Sequence, residues 1–361
     1  VGNDRPLFVS NTVSHIGPGG SIQPNDTAPF DELKPEMNNS LEFGTEWRLF
    51  KNRLMFDVTL YKTNTKNQLF TLPSSAGAAY KYYYVNAGNI QNSGIEIMAG
   101  VTPVLTKDFY WKSSINFSRN KNMVKELHKD VPAFIYGDEG ISSSYSMRVK
   151  EGGSLGDIYG KAFERDQYGT IMLDQNGIPL STGEGNTEIV GNCTPDFMLG
   201  WDNSFTYKNL TFSFLIDGQF GGKILSQTQA ILDQLGVSAN TGKARERGFL
   251  YLEGIYITAI RDFYEQLGGR SGVTEYYVYN ATNIRLREIT VDYSLPQKWL
   301  KKAKAIHEVN ISLTGRNLFF FYKKAPFDPD AVLSTDNNNQ GIDILGMPST
   351  RSMGFNVRVT L

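Results

Sequence analysis

Arg53–Tyr61 reads RLMFDVTLY, and its side chains sort by alternation: Leu54, Phe56, Val58 and Leu60 share one face, Met55, Asp57, Thr59 and Tyr61 the other. A period of two belongs to a strand, where successive Cβ atoms point to opposite faces, and no helix can use it. One face is apolar and the other mixed, so the strand borders two different surroundings. The same rule holds upstream, where Leu41, Phe43, Thr45, Trp47 and Leu49 oppose Glu42, Glu46 and Arg48. Downstream, Ile95, Ile97, Ala99 and Val101 oppose Glu96, Met98 and Thr102, and Phe109, Trp111, Ser113, Ile115 and Phe117 oppose Lys112, Ser114 and Asn116. Further sets are Phe197, Leu199, Trp201 and Phe205; Leu210, Phe212, Phe214 and Ile216; Val309, Ile311 and Leu313; and Phe355, Val357, Val359 and Leu361. The chain holds roughly nine such strands, each long enough for the roughly 9–11 residues that a tilted strand needs to cross a bilayer.

The connections alternate as well. Links at Lys51–Asn52, Pro103–Asp108, Lys208–Asn209 and Pro296–Lys304 are short, and those between them are long. Loops beyond about 12–15 residues are uncommon in compact soluble domains and have no reason to gather at one end. The pattern predicts an all-β fold, an antiparallel transmembrane β-barrel with short periplasmic turns and long extracellular loops. Tyr322–Thr350 then forms one outward loop. Trp47, Trp111, Trp201, Tyr207, Tyr293, Trp299 and the run Phe319–Tyr322 fall near predicted strand ends, where amphipathic rings suit the membrane boundary.

Composition narrows the function. With 36 basic against 37 acidic side chains, no charge excess points to nucleic acid. No run of about 18 apolar residues exists, and a barrel needs none, since only alternate residues face lipid. His15, His128 and His307 are scattered without metal-ligand spacing, Cys193 stands alone, and the glycines around Gly152 and Gly218 lack the strand-then-helix context of a phosphate loop. No Ser–His pair announces a hydrolase, so an enzyme is not expected; a passive porin shares the strand pattern and stays as the alternative, ahead of an outer-membrane hydrolase. The opening residues carry no basic and apolar leader, which with an odd strand number predicts the C-terminal part of a longer polypeptide whose other strands close the wall.

EYYVYNATNIRLREITVDYSLP (Glu275–Pro296), ISLTGRNLFFF (Ile311–Phe321), FDPD (Phe327–Asp330) and MPSTRSMGFNVRVTL (Met347–Leu361) occur in order, preceded by LKPEMNNSLEFGTEW (Leu33–Trp47), NAGNIQNSGIEI (Asn86–Ile97) and FSFLIDGQFGGKI (Phe212–Ile224). Together they resemble the barrel end of the SusC/RagA class of TonB-dependent transporters of Bacteroidetes. The resemblance implies that residues 1–361 are part of a 22-stranded barrel with a plugged lumen, the plug domain and first strands lying outside the chain. It also implies import of glycan or peptide nutrients, a surface lipoprotein of the SusD type as partner, energy relayed through TonB, and a place in the outer-membrane lipid. Leu361 departs from the terminal aromatic expected of the class.

Three local features are candidate sites. In NIRLREITVDYSLP the apolar parity shifts across Arg287 and Glu288, which predicts a β-bulge; either it turns Arg285 and Arg287 toward the lumen near the outer rim, in reach of a plug or substrate group, or both lie in a mobile rim above the bilayer. Asp328, Asp330, Asp336 and Asp343 share one outward loop with Asn337, Asn338 and Asn339, an oxygen-rich set with calcium as its possible ligand, though such residues are also ordinary turn formers. The loop aromatics Tyr80, Tyr82, Tyr83, Tyr84, Tyr136, Tyr145, Tyr276 and Tyr277 are candidates for contact with cargo or the lipoprotein, with packing inside the loops as the alternative for each. A short helix is expected within Gly254–Leu267.

Overall fold

The alternating segments pair, each with the next in sequence, into one nine-stranded antiparallel sheet. In chain order these are β1 (Met37–Leu49), β2 (Leu54–Pro73), β3 (Tyr82–Leu105), β4 (Phe109–Glu126), β5 (Phe197–Tyr207), β6 (Leu210–Phe220), β7 (Asn283–Ser294), β8 (Glu308–Lys323) and β9 (Ser352–Thr360). The computed structural model describes residues 15–16, 22–23, 28, 34–73, 78, 80–127, 132–139, 144–183, 188–300, 305–334 and 339–361. The sheet is an open section of barrel wall, with β1 and β9 at its edges.

Register turns the alternation into two surfaces. Trp47, Phe56, Ala99, Ile115, Trp201, Ile216 and Leu286 lie side by side on one face. One position along, Glu46, Asp57, Met98, Asn116, Gly200, Asp217 and Arg285 form the matching row on the other. Phe56, Leu60, Ile115, Trp201, Leu313 and Val357 are exposed, whereas two stacked sheets would have hidden them in a shared core. The apolar face also holds polar residues, Ser113 and Asn203 among them, whose oxygens take hydrogen bonds from neighbouring indoles, while the buried Asn203 Nδ2 has no partner among the described residues. Trp201 Nε1 donates to Ser113 Oγ at 3.0 Å and Trp111 Nε1 to Asn203 Oδ1 at 3.2 Å, so the indoles roof the polar atoms they bind.

The short links fall where the sequence placed them. Phe50, Lys51 and Asn52 take φ values of 52°, 56° and 64° between β1 and β2, and Lys208 takes 53° between β5 and β6. The outward side departs from expectation once. Pairing of β2 with β3 continues to Pro73 and Tyr82, so the strands run for 20 and 24 residues and leave only a brief connection. A bilayer needs roughly 9–11 residues per strand, so this hairpin rises well beyond it. Asn92 Oδ1 accepts from the side-chain amides of Asn120 and Asn122 at 3.2 and 3.0 Å, part of what holds the extension together.

The other three outward segments, 127–196, 221–282 and 324–351, fold against each other. The second contains helices α1 (Gln227–Gln234), α2 (Ala239–Arg247) and α3 (Ile260–Leu267). Ser226 and Ser238 cap α1 and α2, each hydroxyl accepting the amide three residues on. The helix expected from Gly254 begins only at Ile260, because Leu250–Leu252 first pairs with Ile255–Ile257 across a turn in which Glu253 and Gly254 have φ of 43° and 93°. Phe163, Ile171 and Ile178 of the first segment pack with Ile257, Phe263 and Leu267 of the second. Tyr145, Met147 and Ile158 pack with Leu225 and Tyr277 of the second and Ile342 of the third. Three loops thus share cores and form one cap.

On the mixed face Tyr61 lies against Gly94: a Cβ there would sit 2.4 Å from the Tyr61 hydroxyl and 2.5 Å from the Arg119 carbonyl oxygen. Gly94→Ala is expected to cost about 1–3 kcal/mol by overpacking, measured as a lower urea midpoint for the membrane-inserted protein, while Gly242→Ala, inside α2 with open space around it, does not lower the midpoint.

Candidate functional site

The parity shift in β7 is a bulge. β6 pairs Leu215 with Glu288 and Ile216 with Leu286, leaving Arg287 without an opposite residue, and β8 slips at the same level, where Asn317 takes φ 51°. An extra residue re-aims its neighbours. Arg285 and Arg287 both line a concavity of about 670 Å³ on the mixed face, shared with Asp57, Glu96, Met98, Asn116 and Asp217 of the wall. Asp330, from the segment between β8 and β9, reaches into the same space.

The two arginines bind this segment to the wall. Arg287 Nη2 meets Asp217 Oδ2 at 2.7 Å, and its Nη1 lies 3.3 Å from Asp330 Oδ2 and 3.2 Å from Asn317 Oδ1. Arg285 pairs with Asp330 through Nη2, lies 3.5 Å from Asp217 and 3.9 Å from Asp328, and sits 5.0 Å from the centre of the Phe320 ring. Asp328 also accepts the Asp330 amide at 3.0 Å, the Ser349 amide at 3.2 Å and the Ser349 hydroxyl, so it joins both legs of the segment. Burial pushes the Asp328 carboxyl up, and the hydrogen bonds together with the Arg285 charge outweigh it, leaving the group below its ordinary value. The Arg285 side chain is 3% exposed and that of Arg287 31%, so the first is a buried ion pair and the second a rim one.

Three of the four aspartates expected to offer oxygens to calcium have other partners. Asp328 and Asp330 face guanidinium groups, and Asp343 Oδ2 accepts the Ser226 hydroxyl at 2.6 Å inside the cap. Asp336, with Asn337 and Asn338, lies outside the described residues. Among the described residues no three His, Cys, Asp or Glu side chains converge on a metal position.

The tyrosines divide. Tyr82, Tyr83 and Tyr84 belong to β3 rather than to a loop, with Tyr82 exposed and Tyr83 packed against the cluster of Phe70, Ile90 and Val124. Tyr80 is half-buried just before the strand, and the side chain of Tyr136 lies outside the described set. Tyr145 and Tyr277 are buried in the cap, and Tyr276 packs on Phe163 and Phe263, so these three serve its interior, not its surface. Burial drives the Tyr276 and Tyr277 hydroxyls well above their ordinary range, keeping them neutral. Rings that face outward include Tyr168, Phe249, Tyr251 and Tyr256, the last two 5.2 Å apart. Their signal was the alternation of Phe249 and Tyr251 with Leu250 and Leu252 ahead of a Glu–Gly turn. Cys193 is buried, its thiol pushed up to about 11.

Residues 3–318 match the family model described as "TonB dependent receptor-like, beta-barrel". The chain is 28% identical over 353 residues to TonB-dependent receptor P3 of Formosa agariphila, covering 91% of this chain and 34% of that protein. It is 23% identical over 378 residues to TonB-dependent receptor SusC of Bacteroides thetaiotaomicron, covering 100% of this chain and 36% of that one. In fold it is similar to a solved structure of the RagAB peptide transporter, with a TM-score of 0.69 at 18% identity over 97% of this chain and 38% of the other. The chain therefore spans about a third of the length of the proteins it matches.

Arg285→Met leaves Asp328 and Asp330 without their buried cation and is expected to cost the attachment of the arm up to about 3 kcal/mol, the low end for a broken buried pair, because Asp330 is a third exposed and keeps Arg287. Arg287→Ala, at a partly exposed pair, costs less; faster tryptic cleavage at Lys323 and Lys324 reads the difference. The share due to Asp328, whose folded pKa is lowered, is present at neutral pH and is lost as pH falls below the ordinary carboxylate value of about 3.9. Cleavage of the arm by pepsin, which works at that pH, reads this loss, and in Asp328→Asn the rate is expected to lose the acid dependence.

Proposed function

Because the chain belongs to the TonB dependent receptor-like β-barrel family, we propose that its nine strands are part of the wall of an active importer in the outer membrane. Its activity is movement of a nutrient, glycan or peptide, through a plugged lumen, without covalent chemistry. The observation that carries this reading is the pairing of one lipid-type face with one concave polar face, under a cap built from three outward segments. A wall of this kind separates hydrocarbon from an enclosed path.

Edge strands β1 and β9 present unpaired backbone groups, which are too costly to leave in hydrocarbon. Further strands of the whole protein therefore complete the wall, to the 22 of a plugged outer-membrane transporter, and a plug carries the contact with TonB. A SusD-type lipoprotein is the partner that fits over the cap, where Phe249, Tyr251 and Tyr256 offer exposed rings of the sort enriched at interfaces. Tyr80, Tyr82 and Tyr84 stand on or beside the raised β2–β3 hairpin as further candidates for cargo or lipoprotein contact. Arg285 and Arg287 act toward the lumen, holding the Asp330 arm in the path that cargo takes.

Uptake of fluorescent oligosaccharide and oligopeptide pools by cells that make the full-length protein tests this. Accumulation of one pool, lost when TonB is removed, is the expected result. Uptake that survives without TonB identifies a passive pore, and hydrolysed products outside the cell identify an enzyme; either replaces the reading.

A further inference from the structure

Two places where the segment between β8 and β9 is fastened lie a few residues apart, one in the lumen and one in the cap. At the lumenal place Asp330 is held by Arg285 and Arg287, and Asp328 ties the outgoing leg to Ser349 on the returning one. At the cap, Ile342 and Asp343 pair in parallel with Leu225 and Ser226, and Leu225 N donates to Gly341 O at 2.8 Å. Ile342 is fully buried in the cap core. Ser226 gives its hydroxyl proton to Asp343 while its oxygen accepts the Gln229 amide, so the same side chain caps α1 and grips the segment. Leu333 N, on the outgoing leg, donates to Ile342 O at 2.6 Å.

We propose that these described legs form a strap that couples the position of the cap to the lumenal wall. The reason is slack. From Asp330 to Leu333 the chain can extend by roughly 3.3–3.6 Å per residue at most, so about 11 Å separates the two fastenings when this leg is fully stretched. A cap displacement of more than a few ångströms must then break the hydrogen bonds around Ile342 or pull Asp330 from the arginines. Arg285 at one fastening and Ile342 at the other are buried, while Asp330 is about a third exposed, so strain at one end is felt at the other. Wall residues Arg285 and Arg287 are therefore positioning residues for the cap as well as for the arm they touch. The inference does not depend on what the protein transports.

Hydrogen exchange on the full-length, membrane-inserted protein tests the coupling in both directions. Arg285→Met is expected to speed exchange by at least tenfold at Asp330 and also at Leu225 in the cap, where no contact was altered. Arg285→Lys, which keeps a cation against Asp217, Asp328 and Asp330, is expected to retain part of the protection at both sites, which a merely misfolded wall would not do. From the other end, Ile342→Gly is expected to speed exchange at Asp330 and Ser349. Heat-modifiable mobility on gels reports that the barrel stays folded in each variant. Faster exchange confined to the mutated end, in either direction, overturns the strap.

Discussion

A backbone that crosses hydrocarbon finds no water, so every amide and carbonyl along the way must be bonded within the wall. The rest of this architecture follows from that requirement. Each of the nine strands pairs with its sequence neighbours through long, mostly unbroken ladders, the cheapest way to leave no group unpaired. Links on the short side are reduced to turns that residues such as Lys51, Asn52 and Lys208 can make with positive φ. The ladder is clearly interrupted at Arg287, and there the break opens toward the polar face, where Asp217, Asn317 and Asp330 receive the guanidinium.

Pairing decides where the strands go, and alternation decides what each face can do. On the apolar face polar oxygens are held against the rings of neighbouring strands. Asn203 and Ser113 show how: each lies under an indole that donates to it, and Phe205 stacks on Trp111 with ring centres 5.5 Å apart. On the opposite face charge is allowed but still has to be balanced wherever it is buried. Arg285, nearly inaccessible, is surrounded by three aspartates for that reason.

Beyond the membrane the constraint changes sign. Outward segments meet water, where hydrophobic side chains gain by burial and backbone groups do not need a ladder. Segments 127–196, 221–282 and 324–351 respond by pooling Ile171, Phe263, Leu267, Leu225, Tyr277 and Ile342 into shared cores. The cap is thus held by a different force from the wall, and the Asp328–Asp330 arm is where the two meet. Its attachment is electrostatic at the lumenal end and apolar at the cap end.

The wall was legible in the sequence because its cause is local. A two-residue period in RLMFDVTLY or the terminal FNVRVT reports the two surroundings without reference to any distant residue, and the slip of that period at Arg287 reported the bulge in the same way. The cap was not legible, since loop residues carry no period, and Tyr145, Tyr276 and Tyr277 look like surface aromatics until segments more than a hundred residues apart close over them. The aspartates of the last outward segment were ambiguous for a related reason: oxygen ligands suit a cation of either kind, and only tertiary structure shows Asp328 and Asp330 against the guanidinium groups of Arg285 and Arg287. Sequence by itself determined strand number, facing and the bulge, because each depends on the neighbours of a residue along the chain. Which charges meet, and which rings are hidden, was decided by contacts that the chain makes only once it has folded.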